Sequence, residues 1–159
     1  MDEVEYRKAG IDDIDTLVEF RILFLNDYKD HTRDEETYVL EKNISDYFEK
    51  AIPDGKFVAF IAVIEDNVVA SSGMEVRDVA PRYGPLLNGR MGYIMNMYTL
   101  PDFRRKGISA RLLRMLIEEA RKLDVGLLHL HASTDGSGIY RRAGFVPAEL
   151  PEMNLALKS

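Results

Sequence analysis

The stretch Gly92 to Ser109, GYIMNMYTLPDFRRKGIS, joins a strand, a basic turn and a helix start, and it constrains the chain more than any other segment. Tyr93 to Thr99 is apolar and rich in aromatic and β-branched residues, so it reads as a buried strand. Leu100-Pro101-Asp102 ends that strand, because proline gives no donor to a ladder and restricts the residue before it. Arg104-Arg105-Lys106-Gly107 then leads into a helix over 108–122, whose apolar stripe is Ile108, Leu112, Met115, Leu116 and Leu123. The first N–H groups of a helix lack intrahelical acceptors and sit at the positive end of its dipole, so such a junction suits an anionic phosphate. Gly107 has no Cβ and lets the backbone approach such a ligand. Two other phosphate loops fit poorly. The Gly92 to Ser109 stretch holds no Gly-Lys pair for a P-loop, and Gly136-Ser137-Gly138-Ile139-Tyr140-Arg141 has arginine where a dinucleotide fingerprint needs its third glycine.

Taken in order, the chain alternates strands and helices. Val4 to Lys8 is a short strand. Asp12 or Asp13 caps a helix to about Asp27, with Ile14, Leu17, Val18, Ile22 and Leu25 at helical spacing. After a polar break at 28–34, a helix resumes over 35–50. Strands over 57–64 and 68–76 flank a Glu65-Asp66-Asn67 hairpin turn. Residues 77–90 carry two prolines and two glycines and read as a mobile loop. Beyond the basic turn come a strand over 125–132, a short helix over 137–142 ended by Gly144, and a last strand from Met153 to Leu157. This order implies an α/β (α+β) fold, a mixed sheet with helices on both faces.

At 159 residues the chain is expected to be a single domain spanning 1–159. The formal charge of −6 argues against a general nucleic-acid partner. No apolar run reaches membrane-spanning length and the start lacks a basic signal region, so no membrane partner is expected. The absence of cysteine excludes disulfides within the chain, fits a cytoplasmic location, and removes the commonest covalent nucleophile for acyl chemistry.

Arg104-Arg105-Lys106-Gly107-Ile108-Ser109 resembles the coenzyme A loop of the GNAT N-acetyltransferases: Arg or Gln, two residues, Gly, one residue, then Gly or Ala. Only Ser109 departs, and it too is small. Tyr140-Arg-Arg-Ala-Gly144-Phe145 is similar to the Tyr-x-x-x-Gly-Phe element that follows in the same family, and the order of early elements also agrees. The resemblance implies a centrally splayed GNAT sheet and acetyl-CoA as cosubstrate without a metal. The implied activity is acetyl transfer to a small-molecule or peptide amine by direct attack in a ternary complex, by a monomer or homodimer. It implies that Met97, Tyr98 and Thr99 offer backbone groups to the pantetheine arm and thioester, and that Arg104, Arg105, Lys106, Gly107, Ile108 and Ser109 wrap the pyrophosphate. Ser133 stands where many relatives hold the pantetheine with an asparagine. Tyr140 would protonate the departing thiolate; its other reading is a core aromatic tying the short helix to the sheet. A coenzyme A–binding regulatory domain of the same fold is the alternative function.

The base that deprotonates the acceptor is sought among acids near the central strand, where Asn96 is not one. Glu75 is the first candidate and Asp78 the second. The polar break at 28–34 and the loop at 77–91 are expected to line the acceptor pocket. His129 and His131 share a strand face, but no third ligand adjoins them for a metal. A Ser133–His131–Asp135 hydrolase lacks the Gly-x-Ser-x-Gly elbow.

Overall fold

In this computed structural model, residues 3–27 and 34–159 are described. Strands β1 (Glu5–Lys8), β2 (Phe57–Ile64), β3 (Asn67–Asp78), β4 (Arg90–Thr99) and β5 (Leu127–His129) form one sheet in sequence order. The first four are antiparallel neighbours and β5 joins β4 in parallel. The helices are α1 (Ile14–Asn26), α2 (Glu35–Ala51), α3 (Ile108–Lys122) and α4 (Ser137–Arg142). The mixed sheet with flanking helices is the α+β arrangement expected from the order of elements.

Alternation along β2 explains how both faces are covered. Val58, Phe60 and Ala62 meet the α3 stripe, while Phe57, Ala59 and Ile61 meet α1 and α2. Leu112, Leu113 and Leu116 of α3 are at most 1% exposed, each worth about 2–3 kcal/mol by burial. They hold the helix down, and with it the basic turn at its start. Glu65 and Asp66 both take positive φ, 46° and 64°, which matches the twist of a two-residue hairpin turn between β2 and β3. Asp34, beside the break, caps α2 by accepting from the Thr37 N–H at 3.1 Å. Residues 28–33 lie outside those described.

Two expectations about the periphery need correction. The segment after β3 is tied down: Val79 N–H donates to Gly89 O at 2.7 Å, and Leu86 is 2% exposed. A Cβ at Gly126 would collide with Pro85 O, so that glycine lets the loop pack directly against the start of β5. The alternating segment Met153–Leu157 forms no strand, and Met153, Leu155 and Leu157 are more than 80% exposed. An alternating pattern needs a free edge to pair with, and β5, only three residues long, is not paired with it.

Candidate active site

The last strand pair sets the site. β5 pairs with β4 only at Met91, Gly92 and Tyr93, whereas β4 continues to Thr99. The two strands therefore part beyond Tyr93, and Met95 to Thr99 of β4 line the opening. A bulge sharpens this turn-out. Ser71 faces Tyr98 and Gly73 faces Met95, so Asn96 and Met97 together oppose Ser72. Asn96 takes a left-handed φ of 58°, a conformation asparagine tolerates better than most residues, and it is 4% exposed.

At the end of β4 the basic turn curls over the start of α3. Arg105 (φ 63°) and Gly107 (φ 77°) are both left-handed, with Lys106 between them. Successive residues in such alternation aim their N–H groups into one concavity. Among the described residues, the N–H groups of Arg105 to Ala110 meet no protein acceptor. A Cβ on Gly107 would touch nothing within 4 Å, so its φ requires the glycine and the space above it stays open. The Arg104 side chain is committed elsewhere: Nε donates to Thr99 O at 2.8 Å, and the guanidinium lies over the Tyr98 ring at 5.3 Å. Thr99 Oγ1 and Ser109 Oγ, 2.8 Å apart, fasten strand to helix.

A cleft of about 1400 Å³ runs from this turn through the strand opening. It brings together Met97, Tyr98, Thr99, Arg104, Arg105, Ser109, Ser133 and Tyr140. Gly107 and Ile108 line an adjoining hollow of about 270 Å³ with Arg105 and Arg142. Lys106 lines neither; its ammonium sits 5.3 Å over the Phe103 ring. Ser133 Oγ accepts from the Gly136 N–H at 3.1 Å, so it shapes the turn into α4. Tyr140 packs against the α3 side of the core, edge-on to Phe145 at 6.0 Å, and also lines the cleft.

Glu75 is not among the cleft-lining residues, and both its oxygens accept from Arg77, at 2.8 and 3.0 Å. This ion pair holds the Arg77 guanidinium above its ordinary value. Asp78 ends β3 opposite Arg90, away from the cleft, and no residue of 77–91 lines it. The opening is lined instead by Tyr93 and His131. Tyr93 Oη lies 3.0 Å from His131 Nδ1, and His131 Nε2 lies 2.8 Å from Glu152 Oε2. An ionised carboxylate only accepts, so His131 donates from Nε2 to Glu152, and in that neutral tautomer Nδ1 is the acceptor for the Tyr93 O–H. His131 holds the Glu152 carboxyl below the usual carboxylate range. These partners dismantle the Ser133–His131–Asp135 alignment. Among the described residues no group of three or more His, Cys, Asp or Glu is placed to hold a metal ion.

His129 stacks on Tyr93 with centroids 4.7 Å apart, and its buried Nε2 has no partner in the described structure. Burial, then Arg77 and His131, lower its pKa. A histidine held neutral gives stability that is complete above its unfolded pKa of ~6.5 and is lost as pH falls through the lower folded value. Thermal melts from pH 8 to 5 should therefore fall less steeply for His129→Phe than for the wild type.

Sequence reading missed Arg21, Tyr93 and Arg142. Arg21 and Arg142 lay within ordinary helical charge patterns, and Tyr93 was counted only as a strand residue. Arg21 Nη1 donates to Asn96 Oδ1 at 2.7 Å, and Arg142 lines the smaller hollow from α4.

The sequence matches the model described as the acetyltransferase (GNAT) family over residues 17–145. It is 33% identical over 108 residues to GCN5-related N-acetyltransferase 4, chloroplastic, of Arabidopsis thaliana; the match covers 62% of this chain and 37% of that protein. Among solved structures, it is similar to a predicted acetyltransferase of Clostridium acetobutylicum crystallised with acetyl-CoA. There the TM-score is 0.85, with 31% identity over 96% of both chains. A GCN5-related N-acetyltransferase of Ralstonia eutropha shares the fold at a TM-score of 0.83 and 23% identity, covering 96% of this chain and 99% of that one.

Proposed function

Because this chain belongs to the acetyltransferase (GNAT) family, we propose that it moves an acetyl group from acetyl-CoA to an amine by direct attack within a ternary complex. The reading is carried by one cleft that joins unpaired helix-start N–H groups, the opened β4 edge and Tyr140. Acetyl-CoA supplies the activated thioester. The N–H groups of Arg105 to Ala110 hold its phosphates, assisted by the cations of Arg105 and Arg142. The β4 edge at Met97 to Thr99, beyond the end of its pairing with β5, pairs with the pantetheine arm like an added strand. Tyr140 donates its proton to the sulfur as the C–S bond breaks.

An amine of pKa ~10.4 is mostly protonated at neutral pH, and freeing its lone pair costs about 4–5 kcal/mol. Glu75 was the base suggested by sequence, but serving as one requires its pair with Arg77 to open. The proton's exit is assigned instead to Tyr93 Oη, which takes it from the nitrogen while passing its own to His131, whose cation Glu152 stabilises. His131→Gln should lower kcat/KM about 10- to 1000-fold at pH 7, with the deficit shrinking as pH nears the amine pKa. Glu75→Gln should stay within a few fold across the same pH series. The reverse pattern returns the role to Glu75.

Release of free coenzyme A from acetyl-CoA in the presence of a mixed amine panel tests the reading. Release that depends on the amine is expected. Coenzyme A binding without any release would instead indicate a regulatory domain of the same fold.

A further inference from the structure

Arg21, on α1, lines the cleft together with Phe24, Tyr93 and Met95. It is half-buried, and burial draws its guanidinium below the ordinary arginine value, against the opposing pull of Tyr93, Tyr47 and Glu75. The neighbouring acids are already engaged. Glu75 is bound in both oxygens by Arg77, and Asp27 pairs with Arg104 at 3.4 Å. Among the described residues no carboxylate pairs with Arg21, and its one hydrogen-bond partner is the neutral Asn96 Oδ1, at 2.7 Å. Among the described residues, that leaves four of the five guanidinium donors without an acceptor.

The support beneath this contact is specific. Asn96 sits in the bulge at φ 58°, a left-handed conformation that is strained in most residues other than glycine and asparagine. Its carbonyl accepts from Ser71 Oγ at 3.2 Å, which fixes the bulge from the neighbouring strand. The bulge thus presents a side-chain amide that aims the guanidinium without neutralising it. A partly desolvated cation left without an anion is costly unless a ligand supplies one. A planar fork of donors matches the paired oxygens of a carboxylate or phosphate.

The geometry points to an acceptor that carries an oxyanion as well as its amine, bound through Arg21 at the acceptor end of the cleft. This rests on the acyl-transfer reading. It favours amino-acid-like or phosphorylated amines over polyamines and other purely cationic acceptors. Tyr93 and His131 lie on the same stretch of cleft, so an acceptor anchored at Arg21 places its nitrogen near the proton exit.

Matched amines with acetyl-CoA test this: phenylalanine against phenethylamine for a carboxylate, and phosphoethanolamine against ethanolamine for a phosphate. One oxyanion-bearing member should show a 10- to 100-fold higher kcat/KM than its partner, mainly through KM, and the pair concerned identifies the anion. Arg21→Gln should reduce the preference to within about threefold while leaving coenzyme A affinity unchanged. Asn96→Asp, which places a carboxylate against an intact Arg21, should do the same. A preference that survives both variants, or a wild type that favours the oxyanion-free member, overturns the proposal, as does coenzyme A affinity lost in Arg21→Gln. If no amine is acetylated, the acyl-transfer reading fails separately. Titration with benzoate and phenyl phosphate, followed by the Arg21 Nε–H resonance, then decides the anion site, and no saturable shift with either overturns it.

Discussion

Replacing Tyr140 with Phe is expected to lower turnover about 10- to 1000-fold, the range for losing a general acid, while coenzyme A affinity stays within about twofold. The substitution removes one oxygen and keeps the ring that packs against Phe145 and the α3 side of the core. Thiols ionise near ~8.5 and phenols near ~10, so passing a proton from phenol to thiolate is uphill by roughly 2 kcal/mol, small within a group-transfer barrier. Single-turnover rates and a melting curve separate the two roles of the residue. Slow turnover with an unchanged melt marks chemistry. Full activity with a much earlier melt marks packing alone, and the thiolate would then be protonated by solvent or acceptor.

The second large effect is expected at the phosphate end. Arg105→Glu combined with Arg142→Glu should weaken coenzyme A binding about 100-fold, on the basis of about 1.4 kcal/mol for each charge-assisted contact. Both side chains line the small hollow at the start of α3, one from the turn and one from α4. The double variant should also flatten the fall of affinity with salt, because screening acts on the charges removed. Lys106→Glu should change affinity by less than threefold, since that ammonium rests over Phe103 and lines neither hollow. Titration calorimetry at two ionic strengths checks both. An affinity insensitive to the double variant would remove these cations from the phosphate assignment.

The parts of the fold that local pattern encodes were legible in the sequence. The α3 stripe, the turn before it and the hairpin at Glu65-Asp66 each follow from spacing or backbone preference within a few residues. Features set by what lies across space were not. Where β4 and β5 part depends on the length of β5, which reads as eight residues by composition and pairs over three. The loop after β3 looked mobile by its prolines and glycines, yet Leu86 and the close approach of Gly126 to Pro85 anchor it. Arg21 resembles any polar position of an amphipathic helix until Asn96 is found beneath it. Glu75 stood on the expected strand, but nothing local revealed that Arg77, two residues on, holds both its oxygens.

Direct transfer is tested most directly by following a labelled acetyl group. The protein is mixed with labelled acetyl-CoA, first alone and then with an amine acceptor, and both protein and small molecules are analysed by denaturing mass spectrometry. With no cysteine in the chain, no stoichiometric acetyl adduct is expected on the protein alone, and the label should reach the amine nitrogen once acceptor is present. A kinetically competent acetyl adduct on Ser133 or a lysine, formed before acceptor is added, would contradict it.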